Sequence, residues 1–463
     1  MSPAGKFRVA ICGAGIGGLM LAVVLGKYSD IPIDLYEAQA EITTVGAGVT
    51  VWRRTREIMI ELGLYSELSE VTTRSSDTSH PYGPTFRKSD ILEGGFKWFD
   101  LLFGYEPSSL HRLDLVNLLI RHLPSSCTIH TMKRLKAYAR DDSGGLALAL
   151  KFADESTAIT DVLIGADGIR SATRRALFEG LAKASLPGLQ NVSEYVNAMW
   201  TGTIVYRSLI PTENLEKLYP GNSATKNMML YCGKEKVGTH LFRCALLDSD
   251  VPFIDQHIVT YPVSRGALVN VAAFYTEAED IGKKFEGHWV SDASEEELLK
   301  SFENFEPEAR AILQCCEKPS RWALHVTNNL PLSTSGRVAI IGDACHAMTP
   351  HFGAGAGQAI EDAFILGRLL SHNLTTLCNL PDVLRIYQDI RLPAVTHISQ
   401  SAAITGYMYD FMAPGYYDGE DRSDEDGLEQ LKDAINKNWE WLGQTGSMDD
   451  WADAERRLKE LAS

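Results

Sequence analysis

A surplus of positive charge is the first thing this sequence lacks. Its 463 residues carry 44 Lys and Arg against 60 Asp and Glu, a formal charge of −16. That balance excludes a sequence-independent grip on nucleic acid or an anionic membrane, since such binding needs a basic face. Cysteines are few and scattered: there are eight, Cys315 and Cys316 are adjacent, and no CxxC pair occurs. Zinc-site spacing and a secreted disulfide scaffold are both excluded, so no metal site is expected and a reducing, cytoplasmic setting fits. An uninterrupted membrane-length run is also missing. Val9 to Leu25 follows Lys6 and Arg8 as a signal peptide or span would, but Gly13, Gly15, Gly17 and Gly18 break it. The 45% hydrophobic and 9% aromatic content is enough for the cores of two or three globular domains.

The same glycines are informative by placement. Phe7 to Cys12 reads as a short buried strand and Ile16 to Lys27 as a helix, so Gly13-Ala14-Gly15-Ile16-Gly17-Gly18 is a glycine turn between strand and helix. In a dinucleotide-binding turn of this kind Gly13 allows the tight bend and Gly15 lets a pyrophosphate reach the backbone. Gly18 lets helix and strand pack closely. A second strand, Ile33 to Tyr36, ends at Glu37, where a carboxylate can accept from a ribose hydroxyl. Two further junctions follow. Asp161 to Ala166 is an apolar strand running into Asp167-Gly168, with Ser171 and Arg174 on one side of the next helical turn; taken alone, this segment reads as a helix cap. Gly336 to Ile341 leads to Asp343 and then to Gly353, Gly355 and Gly357 at the start of a helix bearing Glu361 and Asp362. Three strand-to-loop junctions of this chemistry, at the carboxyl ends of one sheet, can surround a single long cofactor.

Together these segments resemble the single-component FAD-dependent aromatic hydroxylases of the para-hydroxybenzoate hydroxylase type, and among them salicylate hydroxylase and its fungal relatives. The carrying residues are GAGIGG with Glu37, Gly46-Ala47-Gly48, His111-Arg112, DGIRSATR at 167–174 and the stretch 342–363. The resemblance covers roughly residues 5 to 400; Cys345 stands where the family usually has alanine. It implies an α/β fold: a Rossmann-like FAD-binding domain with an inserted, mainly antiparallel β-sheet substrate domain and a C-terminal helical segment. The expected division is 1–75, 105–180 and 285–380 for the FAD-binding domain, 76–104 and 181–284 for the substrate domain, and 381–463 for the helical region. FAD would be held by Gly13, Gly15, Gly18, Glu37, Gly48, Arg112, Asp167 and Asp343, with Gly355, Ala356 and Gly357 presenting N–H groups to the flavin. The implied reaction takes NADH or NADPH and O₂, passes through a flavin C4a-hydroperoxide, and hydroxylates a small phenolic or hydroxybenzoate-like aromatic, with decarboxylation for salicylate-like substrates. An oxidase or halogenase of the same fold, or a non-catalytic binding protein of the GDP-dissociation-inhibitor type, is the alternative; the halogenase WxWxIP segment does not occur.

The substrate region reads by period two. Thr201, Thr203, Val205 and Arg207 share one face of a strand, and His257, Val259 and Tyr261 one face of another. By the resemblance Arg207 and Tyr261 contact substrate, a charged fork and a hydroxyl suited to a carboxylate or phenolate. His257, His351, Met228 and Met229 are further pocket candidates, and His346 reads as structural. Residues 237–256 form a suspected insertion, because the relatives commonly run from a Gly-Lys-x-Lys turn straight into His-x-x-x-Tyr-Pro. Here Gly233 to Lys236 would join His257 to Pro262 if twenty residues were absent. The segment begins with Val and ends with Gln, and its Leu-Asp pair is compatible with a branch-point sequence. Both a retained in-frame intron of a fungal gene and a genuine surface loop fit it.

Overall fold

The computed structural model describes residues 6–43, 48–72, 83–104, 107–140, 147–183, 192–234, 242–244, 249–251, 255–276, 281–420 and 424–463. Gly46 and Ala47 lie outside them. The strand Val9–Cys12 is buried along its whole length and pairs in parallel with Ile33–Tyr36 on one side and Val162–Gly165 on the other. Cys127–His130 and Val338–Ile340 extend this sheet in parallel, and Thr334–Ser335 closes it antiparallel, giving six strands. Such apolar strands require cover on both faces. Ile16–Tyr28 and Gly355–Ser371 pack on one face through Leu19, Val23, Phe364 and Leu366. A three-stranded sheet, Leu135–Arg140, Leu148–Phe152 and Thr157–Thr160, covers the other with the helix Ala172–Lys183. Parallel pairing brings the carboxyl ends of Val9–Cys12, Val162–Gly165 and Val338–Ile340 side by side. The three glycine-bearing junctions therefore meet at one edge.

A second sheet of eight strands runs in the order Val290–Asp292, Ser320–Val326, Met199–Pro211, Leu268–Thr276, Asp255–Val263, Met229–Lys234, Thr85–Lys88 and Phe96–Asp100. Its pairings are antiparallel except that between Met229–Lys234 and Thr85–Lys88. Period-two alternation divides its faces. Ile204, Tyr206, Val269, Val271, Ile258 and Tyr231 bury against helices Glu295–Ser301 and Pro307–Gln314, whereas Arg207, Ala272, Val259 and Tyr261 face a cavity.

Two expected boundaries shift. Residues 290–326 belong to this sheet and its covering helices rather than to the nucleotide-binding unit, and the chain rejoins the six-stranded sheet only at Thr334. Motif position could not reveal this, because the pairing of Ser320–Val326 with Met199–Pro211 is long-range. Asp255 and Gln256, assigned above to the insertion, lie in the strand paired with Lys234 and Gly233. Gln256 also donates from Nε2 to the Ser301 carbonyl at 2.7 Å. Within the connection a short antiparallel pair, Phe242–Cys244 with Ser249–Val251, is described; the rest of 235–254 lies outside the described residues.

The C-terminal region is helical: Leu380–Tyr409, Glu425–Trp439 and Ser447–Ala462. It is no appendage. Trp451, Ala454 and Leu458 bury in the core beside the six-stranded sheet, while Tyr409, Leu431, Ile435 and Trp439 join Phe86, Phe99 and Trp52 in an aromatic cluster. No helix among the described residues is long and apolar enough to cross a membrane, and no cluster of three or more His, Cys, Asp or Glu suited to a metal occurs among them.

Candidate functional site

Where the carboxyl edge of the six-stranded sheet meets the eight-stranded sheet there is a cavity of about 310 Å³. Its walls include Gly15, Gly48, Arg112, Arg207, Tyr261, Asp343, His351, Gly355 and Ala356 from the residues singled out by sequence, together with Met228. Gly13, Gly18, Glu37, Asp167, Gly357, His257 and Met229 are not on its walls.

The glycines sort by what a side chain would meet. A Cβ on Gly13, whose φ is +106°, would lie 2.2 Å from the Ala166 carbonyl oxygen, and one on Gly18 would lie 2.0 Å from that of Gly13. These two serve the packing of the turn. A Cβ on Gly15, Gly168 or Gly355 would meet no protein atom within 4 Å, so the backbone there is open to a ligand. The remaining donors suit a dinucleotide. Arg112 begins the helix Arg112–Arg121 and its Nε is buried with no hydrogen-bond partner, as expected of a cation awaiting phosphate or flavin oxygen. Asp343 is exposed into the cavity at the turn after Val338–Ile340. The residues therefore fit FAD.

Two acids have protein partners. The Glu37 carboxylate accepts from Ala14 N–H at 2.9 Å and Gln39 N–H at 2.8 Å, tying the glycine turn to the second strand, with lone pairs left for a ribose. Asp167 accepts from Ser171 Oγ at 2.5 Å, Thr173 N–H at 2.9 Å and Thr173 Oγ1 at 3.0 Å. That is the helix-cap arrangement, and Ala166 and Gly168 rather than Asp167 border the cavity.

On the opposite wall Arg207 projects from Met199–Pro211. No carboxylate lies within ion-pair reach of it among the described residues, and its guanidinium sits 5.2 Å from the Trp322 ring centroid. Burial lowers its pKa and the Arg112 charge adds to this, while Tyr261 opposes. Tyr261 covers Gly48 so closely that a Cβ there would lie 2.4 Å from the phenolic oxygen; burial raises that phenol to about 12, against the opposing pull of Arg207. The Asn270 Oδ1 accepts from Gly48 N–H at 3.1 Å. His351 Nδ1 donates to the Ala402 carbonyl at 2.9 Å, so in the neutral ring Nδ1 carries the proton and Nε2 is the acceptor. Burial, and then neighbouring His257, lower His351 to about 3, so its ring is neutral.

His257 stands one layer behind the wall. Its ring stacks on Phe274 at 4.3 Å, and Nδ1 lies 2.6 Å from Asp410 Oδ1. Burial lowers His257 to about 3 and raises Asp410 well above the carboxylate range, so the pair holds one proton and no net charge. Period two placed His257 on the right face, but depth depends on what lies above that face. Sequence reasoning missed Asn270, Met348, Tyr409 and Trp439, all on the wall. Asn270 continues the alternation through Ala272 and Phe274 and was findable; Tyr409 and Trp439 lie in the region where the resemblance fades.

Behind the cofactor turn runs a buried ionic network. Asp362 accepts from Gly342 N–H at 3.0 Å and from His346 Nε2 at 2.5 Å on one oxygen, and from Arg391 Nε at 2.9 Å on the other. Arg391 also donates to Glu361 at 3.0 Å and Gln358 at 2.6 Å, and Arg54 donates to Glu361 at 2.9 Å and Asp450 at 2.5 Å. Burial alone would raise Asp362, but the His346 and Arg391 charges hold it at about 2. His346 is thus structural, holding the turn that presents Asp343.

The FAD binding domain family matches residues 6–235 and 289–402. Salicylate hydroxylase of Pseudomonas putida is 31% identical over 97% of this chain and 95% of its own. The 6-methylsalicylate 1-monooxygenase of Aspergillus terreus is 29% identical over 85% of this chain and 80% of its own. A solved salicylate hydroxylase substrate complex superposes with a TM-score of 0.77 at 27% identity, covering 97% of this chain and 98% of that one. The cavity that fits FAD and the extent of these matches agree, and the chain belongs to the FAD-dependent monooxygenases built on this FAD binding domain.

Proposed function

We propose that the chain hydroxylates a phenolic or hydroxybenzoate-like aromatic at this cavity, with NADH or NADPH and O₂ as co-substrates, in a reducing, cytoplasmic setting. The observation that carries the substrate assignment is Arg207, a cation on the cavity wall without a carboxylate partner among the described residues, next to Tyr261. A desolvated charge of this kind is costly unless an anion completes it, and a guanidinium takes a carboxylate or phenolate in two-pronged fashion. Gly15, Gly48, Arg112, Asp343 and the backbone at Gly355, Ala356 and Gly357 would hold FAD, in a turn whose close packing Gly13 and Gly18 allow, with Glu37 at the ribose and the Asp167 turn contributing through its backbone. When bound, FAD supplies the reduction by NAD(P)H and the activation of O₂.

The chain's own residues orient and desolvate. Arg207 and Tyr261 fix the anionic oxygen, and Arg207 lowers the cost of ionising a phenol beside it. His351, neutral with Nε2 as acceptor, takes a hydrogen bond from a substrate O–H; its depressed pKa makes it an acceptor rather than a resting acid. Phe274, Ala272 and Val259 exclude water from the ring.

The test is substrate-stimulated NADH and NADPH oxidation by the purified yellow protein across salicylate, other hydroxybenzoates and phenols, with product analysis for hydroxylation and CO₂ release. Arg207→Ala and Tyr261→Phe should retain FAD while weakening substrate binding by about 2–5 kcal/mol for the charged contact. Stimulation by no aromatic in the panel, or unchanged coupled turnover in both variants, would overturn the assignment.

A further inference from the structure

The registers of the eight-stranded sheet align four cavity-lining residues in one row across four strands. Arg207 is opposite Ala272, Ala272 opposite Val259, and Val259 opposite Leu230. Adjacent strands lie about 4.8 Å apart, so this row spans about 14 Å between its end Cα positions. Its ends differ in chemistry. At one, the Arg207 guanidinium leans toward Trp322, on the strand flanking it on the side away from Ala272. At the other, Leu230 is followed in register by fully buried Phe86, whose ring lies 5.3 Å from that of Tyr409. Tyr409, Met348 and Trp439 bring further apolar surface to the same cavity.

A benzoate whose carboxylate rests on Arg207 covers Ala272 and Val259 with its ring and stops short of Leu230. The apolar far end would then face water, which the hydrophobic effect disfavours in proportion to the area left uncovered. Resting on the reading of this cavity as a hydroxybenzoate site, we propose that the preferred substrates carry an apolar side chain of several carbons. The oxyanion end lies at Arg207 and Tyr261, and the side chain runs over Val259 and Leu230 toward Tyr409 and Trp439. The substrate class is thus an alkyl-substituted hydroxybenzoate, longer than salicylate itself.

The experiment titrates the FAD-loaded enzyme, without NAD(P)H, with salicylate and with its 4-, 5- and 6-methyl, propyl and pentyl derivatives, reading the perturbation of flavin absorbance. In the positional series that matches the cavity, Kd should fall about three- to fourfold per methylene while the chain is being buried. Leu230→Phe and Leu230→Trp, both of which fill the far end beyond the ring, should lower the ratio of salicylate Kd to pentylsalicylate Kd at least tenfold; two variants guard against a failure of one to fold. Flat or rising Kd with chain length in all three series, or a ratio unmoved by both replacements, overturns this proposal alone. Binding by no member of the series overturns both it and the reading on which it rests.

Discussion

Gly15 and Gly18 stand three residues apart in one turn and are glycine for different reasons. Nothing lies within 4 Å of a Cβ at Gly15, whose φ of −73° suits any residue, while a Cβ at Gly18 would lie 2.0 Å from a backbone oxygen. Gly15→Ala should therefore leave the melting of the apoprotein unchanged and weaken FAD by about tenfold or more, ~1.4 kcal/mol. Gly18→Ala should destabilise the apoprotein itself by about 3 kcal/mol or prevent folding. Apoprotein melts and flavin-fluorescence titrations separate the two outcomes. His351 gives a second residue-scale expectation. The unfolded chain protonates this ring below 6.5, whereas the folded protein keeps it neutral to about 3. Unfolding takes up one proton in that window, so stability falls as pH drops, by up to about 2 kcal/mol between pH 6.5 and 5. The His257–Asp410 pair adds no slope between about 4 and 6.5: folded, Asp410 holds the proton, and unfolded, His257 does. Urea unfolding of His351→Gln at pH 7 and pH 5 should show the flatter dependence.

At the scale of elements, the network around Arg391 ties Leu380–Tyr409 to Gly355–Ser371 and, through Asp362, to the backbone of Gly342. Arg391 is 1% exposed, so Arg391→Met strands two buried carboxylates and should cost about 3–5 kcal/mol in urea unfolding. Asp450, at 23% side-chain exposure, sits at the rim of the same network, and Asp450→Asn should cost only about 1 kcal/mol. Equal losses in the two variants would contradict this gradient of burial. The helical C-terminal region was expected and the motif Gly355 to Asp362 was plain, yet nothing in the sequence joins Arg54, Arg391 and Asp450 to it. Arg54 lies 307 residues from Glu361 and 396 from Asp450, Arg391 lies 30 from Glu361, and they meet only because their helices pack around one buried charge cluster.

For the molecule as a whole, the connection 237–256 raises the clearest structural question. Removing it would leave the paired residues Cys232 and His257 joined by the four residues 233–236, a length that hairpins accommodate. It would also remove the pairing of Gln256 with Gly233 and Tyr275 and its bond to Ser301, a loss of about 1 kcal/mol for the hydrogen bond. The shortened protein should be soluble, yellow and close to the parent in melting temperature. Insolubility or loss of flavin would make the segment part of the fold, and sequencing the spliced transcript would show whether its codons belong to the mature message.

Local sequence determined the dinucleotide turn, the three strand-to-loop junctions and the alternation that sets Arg207, Val259 and Tyr261 toward one face. Each depends on residues within a few positions of one another, where backbone geometry and the spacing of apolar residues decide. Asp167 shows the limit of that reading, since a capping carboxylate and a cofactor ligand share one local signature and only its partners Ser171 and Thr173 tell them apart. Tertiary structure alone decided that Ser320–Val326 completes the eight-stranded sheet, that His257 lies beneath Phe274, and that Tyr409 and Trp439 close the cavity. Those facts arise from contacts between segments far apart in the chain, whose pairing is fixed by the combined burial of whole faces and leaves no mark on any short stretch of sequence.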